Sequence, residues 1–208
     1  MNQPVIVIGG GGHAKVIIDT LIAQSAIMVG FTDPNPKTDC ILGVNWIGDD
    51  KAVYKYSSRH IQLINGIGSI GRNGRRGEIF KEFRAQGYFF AKVVHPSAII
   101  ASDVELSEGV QIMAGAIIQA GCRIGEDVIL NTGVSIDHDC FIGSHVHLAP
   151  RATVSGGVQV GDGVHIGPGA TIVQGVKLGR GSIIGAGALV LKDVPENVTV
   201  IGVPAKES

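Results

Sequence analysis

GEDVIL NTGVSI DHDCFI GSHVHL APRATV SGGVQV, residues 125–160, closes every sixth position on Ile, Leu or Val. The phase runs outward in both directions without a break, from His95 to Val190, and makes sixteen hexads. Two places before each closing residue stands a small or β-branched side chain, such as Ala98, Val104, Cys122, Ser182 or Ala188. Glycine recurs at the first and third places, where a corner needs backbone angles that other residues resist. A hexapeptide repeat of this kind is the signature of a β-helix. Three short flat strands make one coil, so about 18 residues return the chain to the same edge, and residues i and i+18 stack roughly 4.8 Å apart. The coils are expected to end near Val190, with Lys192 to Val200 as an exit loop and Ile201 to Lys206 as a tail.

Composition narrows the class. The 208 residues carry 17 basic and 18 acidic side chains, a net charge of −1, and no basic stripe that would suit a nucleic acid. Hydrophobic content of 45% with only 5% aromatics suits a narrow core of Ile and Val. No stretch has the charged start and long apolar run of a signal peptide, and none approaches the roughly 18 apolar residues of a membrane span. A soluble, cytoplasmic protein is expected. Cys40, Cys122 and Cys140 do not form a disulfide framework. Cys122 and Cys140 fall at the inward small place of successive coils and read as buried free thiols.

Before the hexads the pattern changes. Pro4 to Ile8 reads as a buried parallel strand, Gly9 to Gly12 as a turn, and His13 onward as a helix. A glycine turn at a helix N-terminus lets a phosphate approach free N–H groups and the positive end of the dipole. Ala26 to Thr32 reads as a second strand ending at Asp33, where a dinucleotide fold places an acid for ribose. Trp46 to Gly48 is expected as a short strand, Asp49 to Tyr56 as a short helix, and His60 to Ile64 as a strand ending in a second glycine turn, Asn65 to Ser69. A helix is expected from Asn73 to Gln86, with Arg72, Arg75, Arg76, Lys81 and Arg84 read as a solvated face from which one could reach a phosphate. Tyr88 to Val94 should close the small sheet. The expected organisation is a Rossmann-like α/β domain over residues 1–94 and a β-helix domain over residues 95–208.

Two columns stand out among the coils. His138 takes the second place of its hexad, at a corner where a side chain can point outward, and no inward place in the sixteen hexads is charged. Asp137 and Asp139 flank it, and Gly156 lies one coil beyond. His147 is on an outward strand place with His165 one coil on. Pro150, Pro168 and Ala186 also repeat at the coil interval, as one wall of a groove for an extended cofactor would.

The glycine turn, the hexads, Asn131-Thr132, Ile136-Asp137-His138-Asp139 and the tail Gly202-Val203-Pro204-Ala205-Lys206 together resemble the sialic acid O-acetyltransferase family. The better-understood members of that family are bacterial nucleotide-sugar N-acetyltransferases. The resemblance covers nearly the whole chain and implies a left-handed β-helix that works as a homotrimer. It implies a nucleotide-linked amino sugar at Gly11, Gly12, His13, Asp33, Pro34, Gly66 and Gly68. It implies acetyl-CoA between two subunits, with His147, Gly156, Pro168 and Ala186 in contact. His138 would be the general base and Asp139, favoured over Asp137 by the family pattern, its orienting partner. The Gly156 N–H would face the thioester carbonyl. Where the family often carries two consecutive acids this chain has Asp33-Pro34, which removes one side-chain hydrogen bond to the nucleotide.

The expected reaction is N-acetylation of the 4-amino group of a UDP-linked 2-acetamido-4-amino-2,4,6-trideoxyhexose, without a metal. A GDP-linked amino sugar and sialic acid itself are the alternatives. A phosphate-bearing acceptor suits the glycine turn, and an amine needs less activation than a hydroxyl. Three other classes fare worse. A metal-dependent β-helix of the carbonic anhydrase type needs converging histidines, two of them separated by five in sequence, and His138, His145, His147 and His165 lack that pair. A non-catalytic nucleotide-sugar-binding module leaves His138 incidental. A dehydrogenase lacks a hydride-transfer site.

Overall fold

The computed structural model describes residues 3–69 and 74–208. They divide into two compact units, one ending at Pro96 and the other spanning Ser97–Ser208.

The first unit is a parallel sheet of three strands with helices. Strand β1 (Val5–Ile8) sits between β2 (Met28–Thr32) and β3 (Gln62–Asn65). All four residues of β1 are fully buried, as a central parallel strand requires. Helix α1 (Gly12–Ala23) follows β1, and helix α2 (Arg75–Ala85) follows β3. Alternation along β1 sends Ile6 and Ile8 into a cluster with Ile79, Phe80, Phe83, Tyr88 and Phe90. In that cluster the rings of Phe80 and Phe90 lie 4.6 Å apart, and Tyr88 meets Phe83 edge-on at 5.7 Å. Val7 points the other way. A side chain on Gly66 would strike Val7 Cγ1 at 2.8 Å and Ala14 Cβ at 3.0 Å, so glycine is what lets α1 close on this face.

Several expectations shift here. Trp46 to Gly48 is not a strand. The chain instead makes a two-residue hairpin, Cys40–Ile41 with Val44–Asn45, and Trp46 forms a single parallel bridge to Phe31. Gly43, in left-handed conformation at φ 84°, sets the hairpin turn just upstream of the expected strand. The expected helix at Asp49–Tyr56 is a 3-10 helix, Asp50–Lys55, capped by the Asp49 carboxylate on the Lys51 N–H. Tyr88 to Val94 does not close the sheet with a strand; Phe90 alone bridges Leu63. Asn73 and Arg72 lie outside the described residues. Of the cations given a solvated face, Arg75, Lys81 and Arg84 are exposed, but Arg76 is 3% exposed.

The second unit is the β-helix. Ser135–Ile136 pairs with Ile117–Ile118 and Thr153–Val154, Phe141–Ile142 with Arg123–Ile124 and Gln159–Val160, and His147–Leu148 with Ile129–Leu130 and His165–Ile166. Every fourth and sixth place from Val110 to Val190 is buried, so the core is a stack of paired small and aliphatic side chains. Cys122 and Cys140 sit in that stack as free thiols. From Gly109 onward the third places turn the corners in left-handed conformation, by glycine at most corners and by Asp127, Asp139, His145 and Arg151 at four of them.

The coils do not end at Val190. Leu178 bridges Val194, and Ile183–Ile184 pairs with Thr199–Ile201. Leu191-Lys192-Asp193-Val194 makes a side two residues short, and Pro195-Glu196-Asn197-Val198-Thr199-Val200 then resumes the hexad, with Asn197 at φ 58° in the glycine place. That deletion broke the phase and disguised a further hexad as an exit loop. Lys206–Glu207 folds back antiparallel on Thr199–Ile201.

Candidate active site

His138 and Asp139 occupy the corner between the strands Ser135–Ile136 and Phe141–Ile142. Asp139 Oδ2 lies 2.8 Å from His138 Nδ1. Asp137 does something else: its Oδ1 accepts the His138 main-chain N–H at 2.8 Å. The carboxylate of Asp139 favours the tautomer that carries hydrogen on Nδ1, which leaves Nε2 as a free acceptor. The hydrogen bond to Asp139 also raises the His138 pKa above the usual histidine value; desolvation opposes it, and the charges of Asp137 and Asp139 add to it. The imidazole remains 54% exposed, so this corner is open to an incoming group.

The dyad is seated between two glycines, one coil on either side. A side chain on Gly121 would meet Asp139 Oδ1 at 2.5 Å. A side chain on Gly156 would meet His138 Cε1 and Nε2, both at 2.6 Å. Glycine at these places lets the carboxylate and the ring lie flat on the neighbouring coils. Gly156 is thereby buried under the imidazole, and its N–H makes no hydrogen bond among the described residues. Main-chain bonds pin the column: Gly157 N–H donates to His138 O at 2.8 Å and Asp139 N–H to Ala120 O at 3.0 Å. Gly121 escaped the sequence reading, although its interval from Asp139 was a legible signal.

Pro150, Pro168 and Ala186 stack on a different corner, the one that follows His147–Leu148, and all three are exposed. Gly169 N–H donates to Pro150 O at 3.0 Å and Gly187 N–H to Pro168 O at 2.8 Å. Within one chain, therefore, Pro168 and Ala186 line one edge of the prism and His138 another. His147 is on an outward place as expected from its hexad, but it is 8% exposed rather than open, with Nε2 3.3 Å from Asn131 Nδ2 and its ring edge-on to His165 at 5.1 Å. Broad outward side chains on a flat face shield one another, and burial likewise lowers the His165 pKa.

In the first unit the two glycine turns lie at the carboxyl ends of neighbouring strands, β1 and β3, the rim where open α/β sheets take ligands. Gly11 and Gly12 are exposed, and a side chain at either would meet nothing within 4 Å, so the turn that opens α1 is unobstructed. His13 packs over Gly68, whose added Cβ would lie 3.2 Å from His13 Cβ. Asp33 braces the first turn: Oδ2 accepts the Gly10 N–H at 2.8 Å, and Oδ1 accepts the Asn35 N–H at 2.8 Å. Pro34 is exposed beside it.

Arg76, read as a surface charge, braces the second turn. Its Nη1 donates to Asn65 O at 2.8 Å and Ile67 O at 2.6 Å, while Asn65 Nδ2 donates back to Arg76 O at 3.0 Å. Nothing in the run of cations distinguishes Arg76; only its place on α2 behind β3 does. No cluster of His, Cys, Asp and Glu that could hold a metal occurs among the described residues. No described helix is long and apolar enough to cross a membrane.

Stacked hexapeptide coils define the class of bacterial hexapeptide transferases, whose six-repeat model matches residues 139–174 and 157–192. The PglD N-terminal domain model matches residues 4–83. Over the whole chain the fold superposes on perosamine N-acetyltransferase from Caulobacter crescentus, determined as a histidine-to-asparagine variant with CoA and GDP-perosamine. The TM-score is 0.92 and the identity 39%, with 100% of this chain and 98% of that one covered. The acetyltransferase domain of PglB from Neisseria gonorrhoeae FA1090, in complex with acetyl coenzyme A, superposes with a TM-score of 0.93 at 31% identity, over 100% of both chains. UDP-N-acetylbacillosamine N-acetyltransferase of Bacillus subtilis (strain 168) is 38% identical over 111 residues, 53% of this chain and 51% of the relative. The match thus spans about half the length of that curated relative. The chain belongs to this family of left-handed β-helix, nucleotide-sugar N-acetyltransferases.

Proposed function

We propose that the protein transfers the acetyl group of acetyl-CoA to the 4-amino group of a nucleotide-linked deoxysugar. The observation that carries this reading is the exposed His138–Asp139 dyad with the Gly156 backbone against its ring. Nε2 of His138 takes a proton from the amine as the nitrogen attacks the thioester carbonyl. The Gly156 backbone packs against the ring, and its N–H would hold the oxygen that becomes negative in the tetrahedral intermediate. Collapse expels the CoA sulfur, and the proton passes from Nε2 to that leaving group. Asp139 steadies the imidazolium between the two transfers. Gly11, Gly12 and His13, with Gly66 and Gly68, would receive the nucleotide diphosphate; Asp33 and Pro34 border the same rim.

Pro168 and Ala186 stand on a different edge from His138, which suits a CoA shared between two chains, one giving Pro168 and Ala186 and its neighbour His138. A homotrimer with three such clefts fits that arrangement, and exposed outward Ile99 and Phe141, at 64% and 52%, give it apolar surface to cover.

The first reading of the acceptor is a UDP-linked 2-acetamido-4-amino-2,4,6-trideoxyhexose, in line with the UDP-sugar relative from Bacillus subtilis. A second reading, a GDP-linked amino sugar, is favoured by the full-length similarity to the perosamine enzyme. Incubation with acetyl-CoA and each of UDP-4-amino sugar, GDP-4-amino sugar and sialic acid, following free thiol, separates them. Release with a nucleotide-linked amine is expected. Release with sialic acid alone overturns the amine assignment, and a monomer in light scattering at micromolar concentration overturns the shared cleft.

A further inference from the structure

Beside the rim of the first unit stands Trp46, the one tryptophan of the chain. Its indole Nε1–H donates to the main-chain oxygen of Asp33 at 3.1 Å. Its backbone is tied on both sides: Trp46 N–H donates to Asp39 O at 2.9 Å and Ile47 N–H to Phe31 O at 3.0 Å. Asp33 N–H in turn donates to Gly48 O at 3.1 Å. The residue is nevertheless 37% exposed. With its one polar group engaged on the Asp33 carbonyl, the indole has only apolar ring faces left to offer.

Asp33 links this ring to the glycine turn. One carboxylate oxygen accepts the Gly10 N–H, the other the Asn35 N–H, and the Asp33 carbonyl accepts the indole. Gly10, Asp33 and Trp46 are therefore three successive stations along one rim. The first unit has no second exposed aromatic ring in hydrogen-bond contact with that loop among the described residues. Both carboxylate oxygens of Asp33 already serve the main chain, so a flat group arriving here meets a prepositioned apolar face rather than a free acid. Aromatic rings in that setting hold nucleobases by stacking, whatever the base, since every base has a π-face.

We propose that Trp46 is the platform on which the base of a nucleoside diphosphate stacks while its phosphates lie at the Gly10–Gly12 turn. This rests on the nucleotide-sugar reading above. It assigns the nucleotide end of the acceptor to a residue that no motif marks. Such a platform would suit a pyrimidine or a purine nucleotide alike.

Calorimetry on the full chain with UDP, GDP and inorganic pyrophosphate tests it, using wild type, Trp46→Ala and Trp46→Phe. In the wild type, UDP and GDP should also change the fluorescence of the single tryptophan, and pyrophosphate should not. Trp46→Ala should weaken UDP and GDP by about 5- to 150-fold, the range of one base–aromatic stack, and leave pyrophosphate unchanged. Trp46→Phe should restore most of the loss, because it keeps a ring without the N–H. A purely structural tryptophan predicts the opposite pattern: pyrophosphate lost together with the nucleotides, and no rescue by Phe. That pattern, or unchanged nucleotide binding in Trp46→Ala, overturns the proposal. Wild-type protein that binds neither UDP nor GDP overturns the nucleotide-sugar reading itself, and the stacking role falls with it.

Discussion

The two units solve the problem of placing side chains in opposite ways. In the β-helix one interval governs everything: a residue meets what lies one coil before and one coil after it. His138 over Gly156 and Asp139 over Gly121 are both that interval. In the α/β unit no interval exists. Asn65, Ile67 and Arg76 meet because a strand, a turn and a helix happen to converge, and a core of interlocked rings holds them there. A repeated fold makes distant partners readable but confines each to the adjacent coils. An irregular fold hides its partners and spreads the effect of losing one.

The strongest test of that contrast falls on the coil. His138→Ala should lower turnover by about 10²–10⁴-fold, the range of general base catalysis, with an unchanged melting temperature because the ring is largely exposed. Gly156→Ala should follow it in direction, since the new methyl displaces the ring from its seat. Near-normal turnover in either variant would break the mechanism.

Next in size is Arg76→Met. Two charged hydrogen bonds to main-chain carbonyls, one buried and one part-buried, disappear, worth about 1.5–3 kcal/mol each. Urea unfolding should show the loss in the transition of the α/β unit while that of the β-helix stays in place. An equal shift of both transitions would show that the units do not respond independently.

The smallest effect concerns pH. Turnover needs neutral His138, so its acid limb should lie above the usual histidine value, with the rate rising as pH rises through it. Asp139→Asn removes the carboxylate that raises this pKa, and the limb should move to lower pH with a reduced plateau. A limb that stays put would point to Asp137, or to no partner at all.

The same contrast explains what could be read from the residues alone. The sixteen hexads, the corner position of His138 and the Gly156 interval follow from counting. Counting failed where the count changed: the two-residue deletion at Leu191 to Val194 hid a further hexad. It was also silent on direction within a residue pair. Both Asp137 and Asp139 flank His138, and only geometry gives the main chain to one and the ring to the other. In the α/β unit, strands and helices were legible from apolar runs, but the burial of Arg76 and the double use of Asp33 were not. Those depend on tertiary convergence, which no local pattern encodes.

The pairing of Ile183–Ile184 with Thr199–Ile201 has a consequence for how the molecule comes apart. Stability in such a stack is approximately a sum of coil energies and nearest-neighbour couplings, as in a one-dimensional chain of spins. Interior coils are held from two sides. The hexad Pro195–Val200 sits beyond a register defect, and it gains a second neighbour only along the face where Lys206–Glu207 folds back. Amide hydrogens should therefore exchange in a gradient along the axis, fastest beyond the defect and slowest near the middle coils. The His138 corner, with stacked strands on both sides, belongs to the slow part of that gradient, so the dyad keeps its geometry while the end of the stack breathes.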